Sequence, residues 1–322
     1  MDKSLDLSVI APVFNEKENL EAFIASVKQA MSANRWSWEL ILVDDGSEDG
    51  SPELLKSFSS ENSNIRCLLL SKNYGQTTAI QAGFDAASGK YLVTLDSDLQ
   101  NDPEDISKIL NKLIDEDLDL VVGWRKDRKD NFLMRKLPSL IANRLIANIT
   151  GVKLHDYGCS LKAYRSEVLK EVRLYGEMHR FIPAWMATKI PPSKISELVV
   201  NHSARTAGVS KYGISRTFRV FVDLISVYFF MKFFSKPGHF FGLMGLLLSF
   251  IGSAILVYLM YVKFILGLDI GDRPVLIAGT LLVVVGIQLI SLGVIGEILS
   301  RTYFASSKEK SYFVRWDSND EN

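Results

Sequence analysis

Cysteine is almost absent from this chain: Cys67 and Cys159 are the only two in 322 residues, and histidine occurs four times. Two widely spaced thiols build no disulfide framework, and no Cys/His spacing suits a zinc site. The composition fits a reducing compartment. The N-terminus also lacks something. Met1-Asp2-Lys3-Ser4-Leu5-Asp6 is polar, without the apolar core of a secretory signal, so the first domain is expected in the cytosol. Net charge is zero as well, with 37 basic and 37 acidic residues, but the balance is uneven. Residues 1–120 hold 10 basic and 22 acidic side chains; residues 121–240 hold 21 basic and 8 acidic. A basic middle segment suits phosphorylated ligands, nucleic acid or an anionic membrane face. The apolar segments that follow it favour the membrane.

What is present is organised around one stretch. The apolar run Lys90 to Leu95 ends in Asp96-Ser97-Asp98-Leu99-Gln100. A short apolar run bounded by turn residues reads as a buried strand. Its carboxylates then lie at the carboxyl edge of a sheet, where open α/β folds bind ligands. Two carboxylates one residue apart repel unless a cation lies between them. A hard divalent cation takes oxygen ligands and shares its shell with substrate phosphates. The stretch therefore predicts a metal–diphosphate site, with a solvated turn as the simpler reading.

The rest of the first half repeats that arrangement. Leu7–Ala11 reads as a strand ended by Pro12, with Phe14-Asn15-Glu16 in its exit loop. Lys17–Met31 has helical spacing. Strands are expected at 39–43, 65–70, 117–123, 159–164 and 194–200, and helices from Ser51, at 76–87 and at 137–150. Alternating strands and helices imply βαβ units and a doubly wound, mostly parallel sheet. The strand exits carry Asp44-Asp45-Gly46-Ser47 and Asn73-Tyr74-Gly75, which defines the ligand edge several times over.

Beyond residue 212 the character changes. Residues 213–236 mix Arg216, Arg219 and Lys232 with aromatic and aliphatic residues, the pattern of amphipathic helices lying in a membrane surface. Two apolar runs, about 240–262 and 275–299, are long enough to span a bilayer. Lys and Arg flanking the pair place both termini, including a 301–322 tail, on the cytoplasmic side. Gly279, Gly286 and Gly293 form a small-residue stripe suited to close helix packing, on the first span or on another subunit.

Together these motifs resemble an inverting family 2 glycosyltransferase with the GT-A fold, occupying 1–212. The residues carrying the likeness are Ala11–Glu16, Asp44–Ser47, Asn73–Gly75, Asp96-Ser97-Asp98 with Gln100, and the Arg205…Gly208–Tyr212 loop. The two-span anchor and the run His155–Tyr164 are similar to the polyprenyl-phosphate glycosyltransferases, a group that includes dolichol-phosphate mannose synthases and GtrB- and ArnC-type enzymes.

The resemblance implies roles. Pro12, Asn15, Glu16, Asp44, Ser47, Asn73, Gly75, Asp96 and Ser97 would bind the nucleotide sugar. Asp96, Asp98 and Gln100 would hold Mg²⁺ or Mn²⁺. Asp156 corresponds to the family's catalytic base, with the orienting of Arg or Lys side chains as its alternative role. Arg128, Arg205 and Lys211 join it in catalysis, and Arg125, Arg128 and Arg135 would bind a lipid phosphate. The implied reaction moves a hexose, with glucose from UDP-glucose as the first expectation, to a polyprenyl phosphate. Mannosyl and 4-amino-arabinosyl transfer are the alternatives. The expected partners are the nucleotide sugar, the lipid and the cytoplasmic membrane, with no nucleic acid, and a homo-oligomer such as a tetramer through transmembrane or tail contacts. A processive polysaccharide synthase is disfavoured because no Q-x-x-R-W motif occurs. A non-catalytic nucleotide-binding scaffold is the competing class.

Overall fold

The computed structural model describes residues 5–126, 146–148, 150–169, 172–174, 178–203, 229, 233 and 237–306. They fall into two compact units, the first within Met1–Val227 and the second within Tyr228–Ser311.

The first unit is a seven-stranded sheet. Its strands are β1 (Leu7–Val13), β2 (Trp38–Asp44), β3 (Ile65–Leu69), β4 (Tyr91–Thr94), β5 (Leu120–Trp124), β6 (Lys162–Arg165) and β7 (Ile195–Val199). They lie in the order β3-β2-β1-β4-β6-β5-β7. Every neighbouring pair is parallel except those of β6, which runs antiparallel between β4 and β5. The doubly wound parallel core is therefore present, with one reversed strand that the alternation of elements did not reveal. The helices are α1 (Lys17–Ser32), α2 (Ser51–Glu61), α3 (Gln76–Ala86), α4 (Asp105–Asp115), α5 (Ser166–Leu169) and α6 (Ile182–Met186). The core is the central strands, read as runs buried on both faces, together with the apolar stripes of α1 and α4. Leu20, Phe23, Ile24, Val27 and Met31 of α1 are buried, as are Ile106, Ile109, Leu110 and Leu113 of α4.

Three local expectations are corrected. Pro12 does not end β1; the strand continues to Val13, with Pro12 opposite Val43. Along β1, Ile10 and Pro12 face β4, while Ala11 and Val13 face β2. The ladder to β4 stops at Ile10↔Thr94, so the missing N–H of Pro12 has no acceptor to serve, and its carbonyl is taken by the Ser97 hydroxyl at 2.9 Å. The strand expected at 159–164 forms only from Lys162. Helix α4 was not expected at all, although its apolar residues recur at i, i+3, i+4 and i+7.

The second unit is an antiparallel pair of helices, α7 (Pro237–Phe264) and α8 (Pro274–Ser306). Both are long and apolar enough to cross a membrane. The glycine stripe of α8 faces α7 of the same chain. A Cβ on Gly286 would lie 2.6 Å from the Gly245 carbonyl, and one on Gly252 would lie 2.7 Å from the Gly279 carbonyl. Glycine lets the two backbones touch where no larger residue fits. Of the expected interface helices, only Phe229 and Phe233 are described; both rings contact Phe240 at the start of α7.

Candidate functional site

Parallel strands leave the sheet at the same edge, so the exits of β1, β2, β3, β4, β5 and β7 converge there. Reversed β6 enters the sheet at that edge, which brings Cys159-Ser160-Leu161 between the β4 and β5 exits.

At the β1 and β2 exits the chain builds a braced cleft. Asn15, in the left-handed region at φ 54°, donates its N–H to the Ser47 hydroxyl at 2.8 Å, and its side-chain oxygen accepts the Glu48 N–H at 2.9 Å. The Ser47 N–H donates to Asp44 Oδ2 at 3.0 Å. Asp44 is 1% exposed, and its other oxygen has no hydrogen-bond partner among the described residues. A buried acceptor left open at a ligand edge is a place for a ligand donor. Asp45 does different work. Its two oxygens accept the N–H groups of Tyr74 and Gly75 at 2.7 and 2.9 Å and so pin the β3 exit. Gly46 lets these loops meet: at φ 72°, a Cβ there would lie 2.4 Å from the Lys72 carbonyl carbon. Asn73 is exposed beside this crossing, and the Glu16 carboxylate accepts from Asn19 at 2.6 Å.

At the β4 exit, Asp96 Oδ1 accepts the Gln76 amide of α3 at 2.8 Å. Burial pushes the Asp96 carboxyl above its ordinary pKa, against the opposing pull of Ser160, Lys162 and Arg125. Asp98 Oδ1 accepts the Gln100 N–H at 3.2 Å, and Leu99 turns the chain at φ 60°. The Gln100 carbonyl in turn accepts Ser203 N–H at 2.9 Å, so the chain leaving β7 runs along this loop. Asp96, Asp98 and Gln100 supply carboxylate and amide oxygens, the chemistry a hard divalent cation selects. Among the described residues no cluster of three or more acidic, His or Cys ligands forms. So small a protein donor set fits an ion that completes its shell with substrate phosphates.

At the β5 exit, Arg125 meets Asp156. Arg125 Nε donates to Oδ2 at 2.7 Å and Nη2 to Oδ1 at 3.0 Å, with side chains 12% and 13% exposed. Asp156 also accepts the N–H groups of Arg125 and Gly158 at 3.4 and 3.2 Å. Burial opposes the Arg125 charge most strongly, but the bond to Asp156 and the electrostatic pull of Cys159, Asp156 and Asp96 together outweigh it and hold the guanidinium charged. Asp156 is thus engaged from four directions, the arrangement of an orienting carboxylate. His155 stacks on Trp124 with ring centroids 4.1 Å apart and pairs through Nδ1 with Glu197.

Of the sequence-predicted residues, Pro12, Asn15, Glu16, Asp44, Ser47, Asn73, Gly75, Asp96, Ser97, Asp98, Gln100, Arg125 and Asp156 all stand at this one edge. Arg128, Arg135, Arg205 and Lys211 lie outside the described residues. Sequence reasoning missed Asp45, Gln76 and Lys162. Asp45 sits beside Asp44 in the quoted motif. Lys162 is a lysine directly after an apolar residue at the mouth of a strand, a position that polarity alone assigns to solvent.

The comparisons agree with this geometry. The glycosyl transferase family 2 model matches residues 8–173. The dodecaprenyl-phosphate galacturonate synthase of Rhizobium johnstonii is 51% identical over 314 residues, covering 97% of this chain and 93% of that protein. An undecaprenyl-phosphate 4-deoxy-4-formamido-L-arabinose transferase of Aeromonas hydrophila is 34% identical over 310 residues, covering 96% and 92%. Among solved structures, glucosyl-3-phosphoglycerate synthase from Mycobacterium tuberculosis, in complex with Mn²⁺ and UDP-glucose, matches with a TM-score of 0.54 at 19% identity over 69% of this chain and 79% of its own. Mannosyl-3-phosphoglycerate synthase from Rubrobacter xylanophilus matches at 0.56, with 12% identity over 70% and 74%. These structures share the GT-A fold. A sheet with its acids and its Arg125–Asp156 pair gathered at one carboxyl edge, a family model spanning half the chain and full-length relatives at this identity establish that the chain belongs to glycosyltransferase family 2.

Proposed function

We propose that this enzyme transfers a hexuronic acid, of the galacturonate type, from a nucleoside diphosphate donor to a polyprenyl phosphate, inverting the anomeric centre. Support for the donor is the 51% identical galacturonate synthase, which moves the reading away from the glucose expected from sequence. UDP is the nucleotide we infer, with the open Asp44 oxygen receiving a base or ribose donor. Pro12, Asn15, Glu16, Ser47, Asn73, Gly75 and Ser97, at the same sheet edge, are proposed to bind the nucleotide sugar with it.

The observation that carries the reaction class is the closeness of two opposite sites. Asp96, beside Asp98 at the β4 exit, lies within electrostatic reach of Arg125. One site suits a metal-bound diphosphate and the other suits an incoming anion. A carbohydrate hydroxyl needs a general base, but a lipid monophosphate, with a second pKa of about 6 by analogy with phosphoserine, is already an ionised nucleophile. It needs fixed cations that seat it beside another anion. Arg125, held rigid by Asp156, meets that need. Arg128, Arg135, Arg205 and Lys211 are proposed for the same work on sequence and resemblance. Asp156 is then the residue that orients Arg125. A divalent cation held by Asp96, Asp98 and Gln100 would neutralise charge on the leaving diphosphate. A lipid phosphate oxygen attacks the anomeric carbon as the bond to the diphosphate oxygen breaks. The two apolar helices anchor the enzyme in the cytoplasmic membrane beside its lipid substrate, with both termini in the cytoplasm.

The test is transfer of radiolabel into lipid extract with polyprenyl phosphate and Mn²⁺ or Mg²⁺, against an EDTA control. Donors compared are UDP-galacturonate, UDP-4-formamido-arabinose, UDP-glucose and GDP-mannose. Metal-dependent product from UDP-galacturonate above the others is the expected result. Preferred product from another donor overturns the sugar and keeps the chemistry. Nucleotide binding without product from any donor favours the scaffold reading.

A further inference from the structure

Two dipeptides clasp each other at the β5 exit. Arg125 and Asp156 share two hydrogen bonds, at 2.7 and 3.0 Å. The residues just before them, Trp124 and His155, stack with ring centroids 4.1 Å apart and planes 14° apart. A third residue holds this clasp from the edge of the sheet. Glu197 stands on β7, the last strand, opposite Val122 of β5, while Trp124 stands opposite Val199. Side chains alternate along a strand, so Val122, Trp124 and Glu197 share a face. From there the Glu197 carboxylate engages His155 twice. Its Oε2 accepts the His155 backbone N–H at 2.7 Å, and its Oε1 pairs with the ring Nδ1. The Glu197 side chain is only 17% exposed, although β7 is an edge strand. Residues 152–158 form no helix or strand. Side-chain contacts with the sheet, not a backbone ladder, therefore place Asp156.

We infer that Glu197 is a positioning residue for the transfer reaction, acting through His155 on the Arg125–Asp156 pair. Glu197 fixes where Asp156 stands, and Asp156 fixes where the guanidinium points. The bonds to Asp156 use Nε and Nη2. A guanidinium carries five N–H donors in a rigid fork, so its orientation decides where the remaining donors reach. An anion bound by donors already held in place is bound more tightly, because ordering them is not left to the binding step. The inference rests on the proposed seating of the lipid phosphate at Arg125. A residue that only supported the fold would affect both substrates alike. Glu197 should matter for the lipid and little for the nucleotide sugar.

The test uses the full chain in detergent or nanodiscs, with Glu197→Ala, Arg125→Ala and the double variant. Label transfer gives kcat/KM with polyprenyl phosphate varied and with the nucleotide sugar varied. Glu197→Ala removes both bonds to His155 from an edge strand, so the chain should fold. Its kcat/KM for the lipid should fall about tenfold, the order of one charge-assisted hydrogen bond. Its kcat/KM for the nucleotide sugar should fall less than about threefold. In the Arg125→Ala background the same substitution should add less than about twofold, because residues that act through one another are not additive. Equal losses for the two substrates overturn the inference. So does a wild-type lipid value in Glu197→Ala, or its full loss added to that of Arg125→Ala. If Glu197→Ala does not fold, Glu197→Gln, which keeps one acceptor for the His155 N–H and drops the charge, is read in the same way. If Arg125→Ala does not turn over, the substrate split in the Glu197 variant decides. A wild-type lipid kcat/KM in Arg125→Ala overturns the seating of the lipid phosphate and the inference with it; the other failures leave that seating standing.

Discussion

Arg125 and Asp156 face each other in a two-point ion pair, Nε to Oδ2 at 2.7 Å and Nη2 to Oδ1 at 3.0 Å, on side chains only 12% and 13% exposed. Removing one member leaves the other charge nearly buried without its partner. Asp156→Ala should therefore cost about 3 kcal/mol of stability. It should also lower turnover by about 100-fold, as when one preorganised donor is lost from a reacting anion's site. Because the pair is proposed to seat the lipid phosphate, the loss in kcat/KM should be larger for the lipid than for the nucleotide sugar. Steady-state kinetics varying each substrate, with thermal unfolding alongside, check both parts. Equal losses for the two substrates would remove Arg125 from the lipid side.

Asp98→Asn keeps the shape of the β4 exit and removes a charge. Metal-dependent transfer is expected to vanish while the unfolding midpoint stays within about 2 °C, since a half-buried residue in a loop contributes little to the core. Full activity in this variant would sink the metal assignment.

Gly46 tests the crossing of the β2 and β3 exits. With φ at 72° and a Cβ position 2.4 Å from backbone, Gly46→Ala meets both strain and a clash that no rotamer relieves. A loss of about 2 kcal/mol or more is expected in chemical denaturation. Nucleotide affinity should fall with it, because Asp44 and Asp45 immediately precede this residue.

In the helix pair, Gly286 is the closest contact. An added Cβ would meet the Ser249 hydroxyl, at a distance of 2.1 Å, and the Gly245 carbonyl at 2.6 Å. Gly286→Leu should pry α7 from α8, whereas Leu281→Ala, at an exposed position, should be neutral. Crosslinking between one cysteine on α7 and one on α8, placed away from residues 245, 281 and 286 and compared between the two variants, would report the separation.

The two thiols give a pH prediction. Burial pushes both Cys67 and Cys159 up to about 11, from an ordinary value of 9.0. The unfolded chain loses these protons near 9 while the folded chain keeps them. Their contribution is therefore fully present below pH 9 and is lost as pH rises through 11. The unfolding midpoint should fall over that window, and Cys159→Ala should flatten the fall. Neither thiol should react with iodoacetamide in the native protein at pH 8. An unchanged slope in Cys159→Ala would contradict the assignment.

How much of this was legible in the sequence follows from which interactions are local. The apolar runs of β1, β2 and β5, the acids that end β2 and β4, and the two long apolar helices stand in the chain as written. Asp96 and Asp98 were found because a strand exit is a local signal, and the sheet edge followed from alternation. The stripe of Gly279, Gly286 and Gly293 was visible, but both partner helices were open to it.

What the sequence by itself determined is the parallel α/β core, the ligand edge, the family and the membrane-length helices, since hydrophobic periodicity and turn residues act between near neighbours. Tertiary structure alone decided the rest. It reversed β6, which is a choice between long-range pairings of similar strength. It closed Asp156 onto Arg125, 31 residues away, and packed the α8 glycines on α7. It also drew Lys162 out of water between Thr94 of β4 and Val122 of β5. A lysine reads as a surface residue until the strands on either side of it are known, because burial is set by what packs against a residue and not by the residue itself.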